Sequence, residues 1–194
     1  STYIAGGTLL QLQREQGAQL PPNLIRLDRI PKLREIEQDE DRLYVGAYVS
    51  LTECQTNPAI LSIAPLLAES VKEVASPAVR NRGTIGGNIA YGVGDTIPAL
   101  LALDADISWI SGNQMYTAKL WDYLQHQPDR NAIITTIHLK KQMNSQKQIQ
   151  YYRKVGRRES FIPSLVTVAI CCSWNEQNRI DFIRLAAAGG TSAL

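Results

Sequence analysis

Between Val79 and Asp95 the chain places five of its thirteen glycines, at positions 83, 86, 87, 92 and 94. No other stretch constrains the fold as strongly. Glycine loses more conformational freedom on folding than any other residue, so such density is destabilising in itself. A fold tolerates it where the backbone must turn left-handed or where another group comes close. Within this run, Thr84 can donate a hydroxyl hydrogen and Asn88 can both donate and accept. Asp95 precedes an apolar stretch. It either caps the helix expected from Thr96 to Leu103 or offers its carboxylate to a sugar hydroxyl.

A second glycine pair lies near the start. Thr2 to Ala5 is β-prone, Gly6-Gly7 turns the chain, and Leu9, Leu10 and Leu12 follow at helical spacing until Gly17. A strand, a glycine turn and a helix can form an anion site, because the first helical N–H groups lack partners and the dipole favours negative charge. Thr8 can add a hydroxyl. The alternative reading of the pair is a tight turn and nothing more. Neither loop reads G-x-G-x-x-G, and no G-x-x-x-x-G-K-[ST] occurs, so a dinucleotide held here needs a fold other than the Rossmann type.

The remaining pattern mixes helices with antiparallel strands and shows no regular βαβ repeat, which predicts an α+β fold. Strands are expected at 24–27, 42–47, 105–110, 133–139 and 149–152, with a hairpin of 165–174 and 180–187 turning at Asn175–Asn178. The charged run 32–42 reads as a solvated loop or hairpin. Ser50 or Thr52 should cap a helix that Pro58 interrupts. Leu66, Leu67, Val71 and Val74 form a core stripe, ended by Ser76-Pro77.

Composition excludes several classes. A net charge of +2 gives no argument for nucleic acid or an anionic membrane. Cys54, Cys171 and Cys172 fit neither a disulfide framework nor a metal or iron–sulfur spacing, and point to a reducing compartment. There is no membrane-length apolar stretch and no signal-peptide pattern, so the expectation is cytoplasmic. His126 and His138 have no nucleophile to pair with and read as structural or exposed.

The chain resembles the FAD-binding subunit or domain of the molybdenum hydroxylases, the xanthine dehydrogenase and carbon monoxide dehydrogenase family. The segments that carry the resemblance are 5–8 (AGGT), 27–31 (LDRIP), 45–47 (VGA), 79–88 (VRNRGTIGGN), 95–105 (DTIPALLALDA), 152–159 (YRKVGRRE) and 188–190 (AGG). They run in order over nearly the whole chain. The resemblance implies a p-cresol methylhydroxylase-type FAD domain of two subdomains over residues 1–141. The start of a small C-terminal domain would follow over 142–194, and the polypeptide would extend past both ends.

The same resemblance implies the site. Ile4, Ala5, Gly6, Gly7, Thr8, Leu9 and Leu10 would cradle the FAD pyrophosphate, with Thr84, Gly86, Gly87 and Asn88 facing it. Asp95 would accept from a flavin-side hydroxyl, Ile134 would lie near the isoalloxazine, and Lys154 would place a cation by the ring; as a bare sequence position, the alternative for Lys154 is a solvated surface lysine on a strand. Leu9 departs from the aspartate common in relatives, and Tyr91–Gly94 is a shortened loop. The implied partners are a molybdopterin-binding subunit and a 2Fe-2S subunit, with NAD or another acceptor. The rival readings are a stand-alone flavin oxidoreductase of the same fold and a degenerate, flavin-free assembly subunit.

Overall fold

The computed structural model describes residues 2–126, 131–141, 147–156 and 164–189. It opens with a small βαβ unit. Strand β1 (Thr2–Ile4) leads through α1 (Thr8–Glu15) to β2 (Leu24–Arg26), and the two strands pair in parallel, Thr2 opposite Leu24. Helix α1 ends at Gln16, ahead of Gly17. No residue of α1 is buried, so this unit rests on its neighbours through its loops rather than through a core.

A five-stranded antiparallel sheet forms the main scaffold, in the order β3-β4-β7-β5-β6. Its members are β3 (Ile36–Gln38), β4 (Arg42–Gly46), β5 (Asp106–Ser111), β6 (Gln114–Lys119) and β7 (Ile133–Lys140). Leu43, Val45, Ile107, Ile137 and Leu139 alternate inward along their strands and are fully buried or nearly so. Between β4 and β5 the chain runs through six short helices: α2 (Leu51–Thr56), α3 (Pro58–Ile63), α4 (Pro65–Lys72), α5 (Pro77–Arg82), α6 (Ile85–Ala90) and α7 (Ile97–Ala102). An eighth helix, α8 (Leu120–His126), follows β6.

Several helix boundaries differ from the sequence expectation. Ser50 does cap α2, accepting from Glu53 N at 3.1 Å. Helix α2 stops just before Pro58, as expected, but Pro58 also begins the next helix. It sits in the first turn of α3, where a missing N–H is harmless. Asn57 caps that turn by accepting from Ala59 N (2.9 Å) and Ile60 N (3.3 Å). Ser76-Pro77 likewise starts α5, and α4 has already stopped at Glu73. Asn57→Ala should cost about 1 kcal/mol, the usual loss for an N-cap, because it frees two amides beside the fully buried Ile60; urea unfolding would read it as a lower midpoint with an unchanged slope.

The last three strands form a meander, β8 (Lys147–Val155), β9 (Val166–Trp174) and β10 (Ile180–Ala188), in the sheet order β10-β9-β8. The inward row of β9 is Thr167, Ala169, Cys171 and Ser173, all buried and all small. Small residues let α7 lie close against this sheet, and α7 itself is buried at Ile97, Pro98, Ala99, Leu100 and Ala102. Tyr152, Ala169 and Cys171 join one continuous apolar core with the five-stranded sheet.

Candidate functional site

The two glycine segments meet. A Cβ built on Gly6 would lie 1.9 Å from the Arg82 carbonyl oxygen and 3.1 Å from Gly83 Cα. The backbone of the first loop is therefore stacked directly on that of the second. A Cβ on Gly83 would lie 3.7 Å from Thr8 Oγ1, so the Thr8 hydroxyl faces the same seam. Tyr48 braces the contact from below: its hydroxyl donates to the Ala5 carbonyl at 3.4 Å, and the Arg34 guanidinium sits 4.2 Å above its ring. Gly6→Ala should pry the β1–α1–β2 unit off this seam while the main core stays folded, since no residue of α1 is fully buried; limited proteolysis would then cut within residues 2–27 of the variant and spare the parent.

Helix α1 presents its N-terminus at this seam. Gly7 is its N-cap, with a left-handed φ of 72°, and no side chain caps the helix. The first intrahelical bond runs from Gln11 N to the Gly7 carbonyl. Thr8, Leu9 and Leu10 thus carry N–H groups with no helical carbonyl to reach, at the positive end of the dipole. These three residues are only partly buried. This is a fitting cradle for a pyrophosphate.

The second segment is not the open loop the sequence suggested. It is two helices, α5 and α6, joined at Gly83-Thr84. Its amides are taken: Ile85 N donates to Val49 O (3.0 Å), Gly86 N to Ala47 O (2.9 Å), Gly87 N to Thr84 Oγ1 (3.1 Å) and Asn88 N to Thr84 O (2.9 Å). Thr84 is buried and serves as the helix cap. Gly86 is buried because α6 presses on Ala47, the residue that follows β4; its Cβ would lie 2.6 Å from Ala47 Cβ and 2.8 Å from Ala47 O. Gly87 differs from its neighbour. It is exposed, and a Cβ there would meet a single group, Thr84 Oγ1 at 3.0 Å. Its open face and the Asn88 side-chain amide are what α6 offers to a ligand.

Asn88 turns its carbonyl away, toward Thr96. Oδ1 accepts from Thr96 Oγ1 at 2.6 Å, and Gly94 leaves room for it, since a Cβ there would lie 2.1 Å from Oδ1. Asp95 does not cap α7. The cap position is Thr96, with no side-chain cap bond. The Asp95 carboxylate instead pairs with Lys154 Nζ at 2.7 Å and accepts from Ser164 Oγ at 2.9 Å. Lys154 is no solvated lysine: its side chain is 13% exposed and also donates to the Glu73 carbonyl at 2.8 Å. Tyr152 OH donates to the Asp95 carbonyl at 3.0 Å, and burial first, then the charges of Asp95 and Glu73, push its phenol pKa far up.

Ile134 is 7% exposed and packs in the core on β7, opposite Trp109. The carbonyl of the next residue, Thr135, accepts from Ala47 N at 2.9 Å, which ties β7 to the turn under Gly86. His138 bonds Ser108 Oγ at 2.8 Å, and His126 bonds the Asp122 carbonyl at 2.9 Å, so both serve structure. Burial pushes the Cys54 thiol up to about 12, which leaves it inert near neutral pH. Among the described residues no cluster of His, Cys, Asp and Glu could hold a metal ion, and no helix is long and apolar enough to cross a membrane. Arg157, Arg158 and Glu159 lie outside the described residues.

Residues 1–140 match the family described as the FAD binding domain in molybdopterin dehydrogenase. The chain belongs to that family. It is 43% identical over 105 residues to the carbon monoxide dehydrogenase medium chain of Hydrogenophaga pseudoflava, covering 53% of this chain and 36% of the relative. It is 31% identical over 134 residues to the nicotinate dehydrogenase FAD-subunit of Eubacterium barkeri, covering 67% of this chain and 45% of the relative. The solved structure of carbon monoxide dehydrogenase from Hydrogenophaga pseudoflava superposes with a TM-score of 0.86 at 27% identity, over 96% of this chain and 66% of the solved one. The chain thus spans less than half of each of these two curated relatives and about two thirds of the solved chain. The α+β fold is that of the dehydrogenase's FAD-binding medium subunit, and the family is one of oxidoreductases.

Proposed function

We propose that this chain binds one FAD across the seam and serves as the electron-transfer portion of a molybdenum-containing hydroxylase or dehydrogenase. The observation that carries the reading is the stacking of Gly6 on Arg82-Gly83 beside the uncapped start of α1. It turns two weak motifs into one wall with free N–H donors on one side and the open Gly87 face on the other. Ile4 to Leu10 hold the pyrophosphate through backbone amides. Thr84 and Gly86 shape the wall, while Gly87 and Asn88 receive the cofactor. Asp95, Lys154 and Ile134 belong to the flavin end. The flavin supplies the redox chemistry, and the protein binds it, orients it and tunes its potential.

In this reading the molybdopterin and the 2Fe-2S clusters lie outside these 194 residues, on partner polypeptides; the three cysteines present here cannot ligate a four-cysteine cluster. Electrons arrive from those clusters and leave to an acceptor such as NAD. The test is purification of the full-length native polypeptide with whatever copurifies, followed by assay of each separated polypeptide. The expected result is flavin on this polypeptide and molybdenum and iron on others. Flavin together with substrate-driven turnover by this polypeptide alone would replace the relay with a stand-alone oxidoreductase. No flavin on it in the intact assembly would favour the assembly subunit.

A further inference from the structure

The polar contacts of Asp95 come from far along the chain. Lys154 and Ser164 hold its two carboxylate oxygens, and Tyr152 holds its carbonyl. The Lys154 and Asp95 side chains are 13% and 16% exposed, so this is an ion pair largely withdrawn from water. Lys154 is fixed on its other side by the Glu73 carbonyl. Its described bonds use two of its three N–H donors, leaving one to point elsewhere. The pair is also joined to the second glycine segment. Thr96, next to Asp95, donates to Asn88, and Gly94, on the other side, is packed against the Asn88 carbonyl, where a Cβ would lie 2.4 Å away.

A lone cation beside a flavin would favour the reduced form, because two-electron reduction adds negative charge. A cation whose charge is cancelled at 2.7 Å acts differently. At partial burial, removing either member exposes a full unit charge to everything nearby, and screening is weak. We propose that Asp95 is a positioning residue: it fixes Lys154 in place and neutralises it, so that a flavin bound on Gly87-Asn88 faces a neutral pair rather than a bare cation. This rests on the FAD reading above and adds a role for Asp95 that differs from holding a sugar hydroxyl.

The experiment is a spectroelectrochemical titration of the full-length polypeptide loaded with FAD, following the flavin band at fixed poise. Asp95→Asn strands the Lys154 cation and should raise the reduced-to-oxidised ratio about tenfold, about 30 mV for a two-electron couple. Lys154→Met strands the carboxylate and should lower the ratio by a similar factor. The double variant is neutral again and should return to within about threefold of the parent, the signature of a coupled pair. A purely structural role would move both single variants in the same direction. Shifts of one sign, or an Asp95→Asn ratio within about twofold of the parent, would overturn the inference while leaving the FAD reading intact. If Asp95→Asn sheds its flavin, Asp95→Glu, which keeps the charge, must retain FAD at the parental ratio; failure there also overturns the inference. A parent protein that takes up no FAD would instead sink the reading on which the inference rests.

Discussion

Gly87→Val is expected to weaken FAD binding by about a hundredfold or more, equivalent to about 2.8 kcal/mol, while the apo protein unfolds almost as before. The reason is the shape of the site. Gly87 is exposed in the first turn of α6, and a Cβ there touches only the Thr84 hydroxyl, at 3.0 Å. The hydroxyl can give by a few tenths of an ångström. Valine has a somewhat better helix propensity than glycine, which offsets part of that strain. The net change in stability should stay within about 1 kcal/mol, or about 2–4 °C in Tm for a chain of this size. The branched side chain would stand on the face that the cofactor needs. Equilibrium dialysis with FAD and a thermal melt of the apo protein check the two halves separately. An unchanged affinity would mean that the ligand does not sit on α6.

Gly86→Ala should do the reverse. One residue earlier, the added methyl would fall 2.6 Å from Ala47 Cβ and 2.8 Å from the Ala47 carbonyl oxygen. Ala47 is backbone-bonded to Gly86 N at 2.9 Å and to Thr135 O at 2.9 Å, so it cannot step aside without breaking the junction of β4, α6 and β7. Overpacking against fixed backbone costs about 3 kcal/mol at the upper end of the usual range. The better helix propensity of alanine recovers less than about 1 kcal/mol of that. A fall in Tm of about 4–12 °C follows for a chain of this size. Loss of FAD in this variant would be secondary to a disturbed wall. A melt within 2 °C of the parent, roughly the shift that about 0.5–1 kcal/mol would give, would contradict the close packing of α6 on Ala47.

These two neighbours show where the sequence is legible and where it is not. Glycine density correctly points to a place of close approach, but it does not say what approaches. Gly6 and Gly86 are glycine because protein backbone or the Ala47 side chain lies against them. Gly87 is glycine with its face open. The helices α5 and α6 were hidden because each is only six residues long, and α6 carries two glycines, which are poor helix formers; their caps at Ser76 and Thr84 and their packing stabilise them. Strands β4, β5, β7 and the β9–β10 hairpin were legible from their β-prone composition and turn residues. Strand β6 and helix α8 were not, because Gln114 to Lys119 is mostly exposed and carries little pattern.

The Asp95 environment lay beyond sequence reasoning altogether. Its partners stand 59 and 69 residues further along the chain, and only the packing of the β8–β9 sheet on α4 and α7 brings them in. Propensity and spacing are local signals and carry nothing about such contacts. The resemblance that nominated Asp95 and Lys154 together did so position by position, and the ion pair between them is a property of the fold.

The proposed function requires FAD in the seam between Gly6-Gly7-Thr8 and Gly83–Asn88. Titrating the full-length apo polypeptide with FAD and following flavin fluorescence and the visible bands tests that most directly. Saturable binding of one FAD per chain is expected, lost in Gly87→Val while its Tm stays within about 2–4 °C of the parent. Failure of the parental protein to bind FAD, or equal binding by the parent and the valine variant, would contradict it.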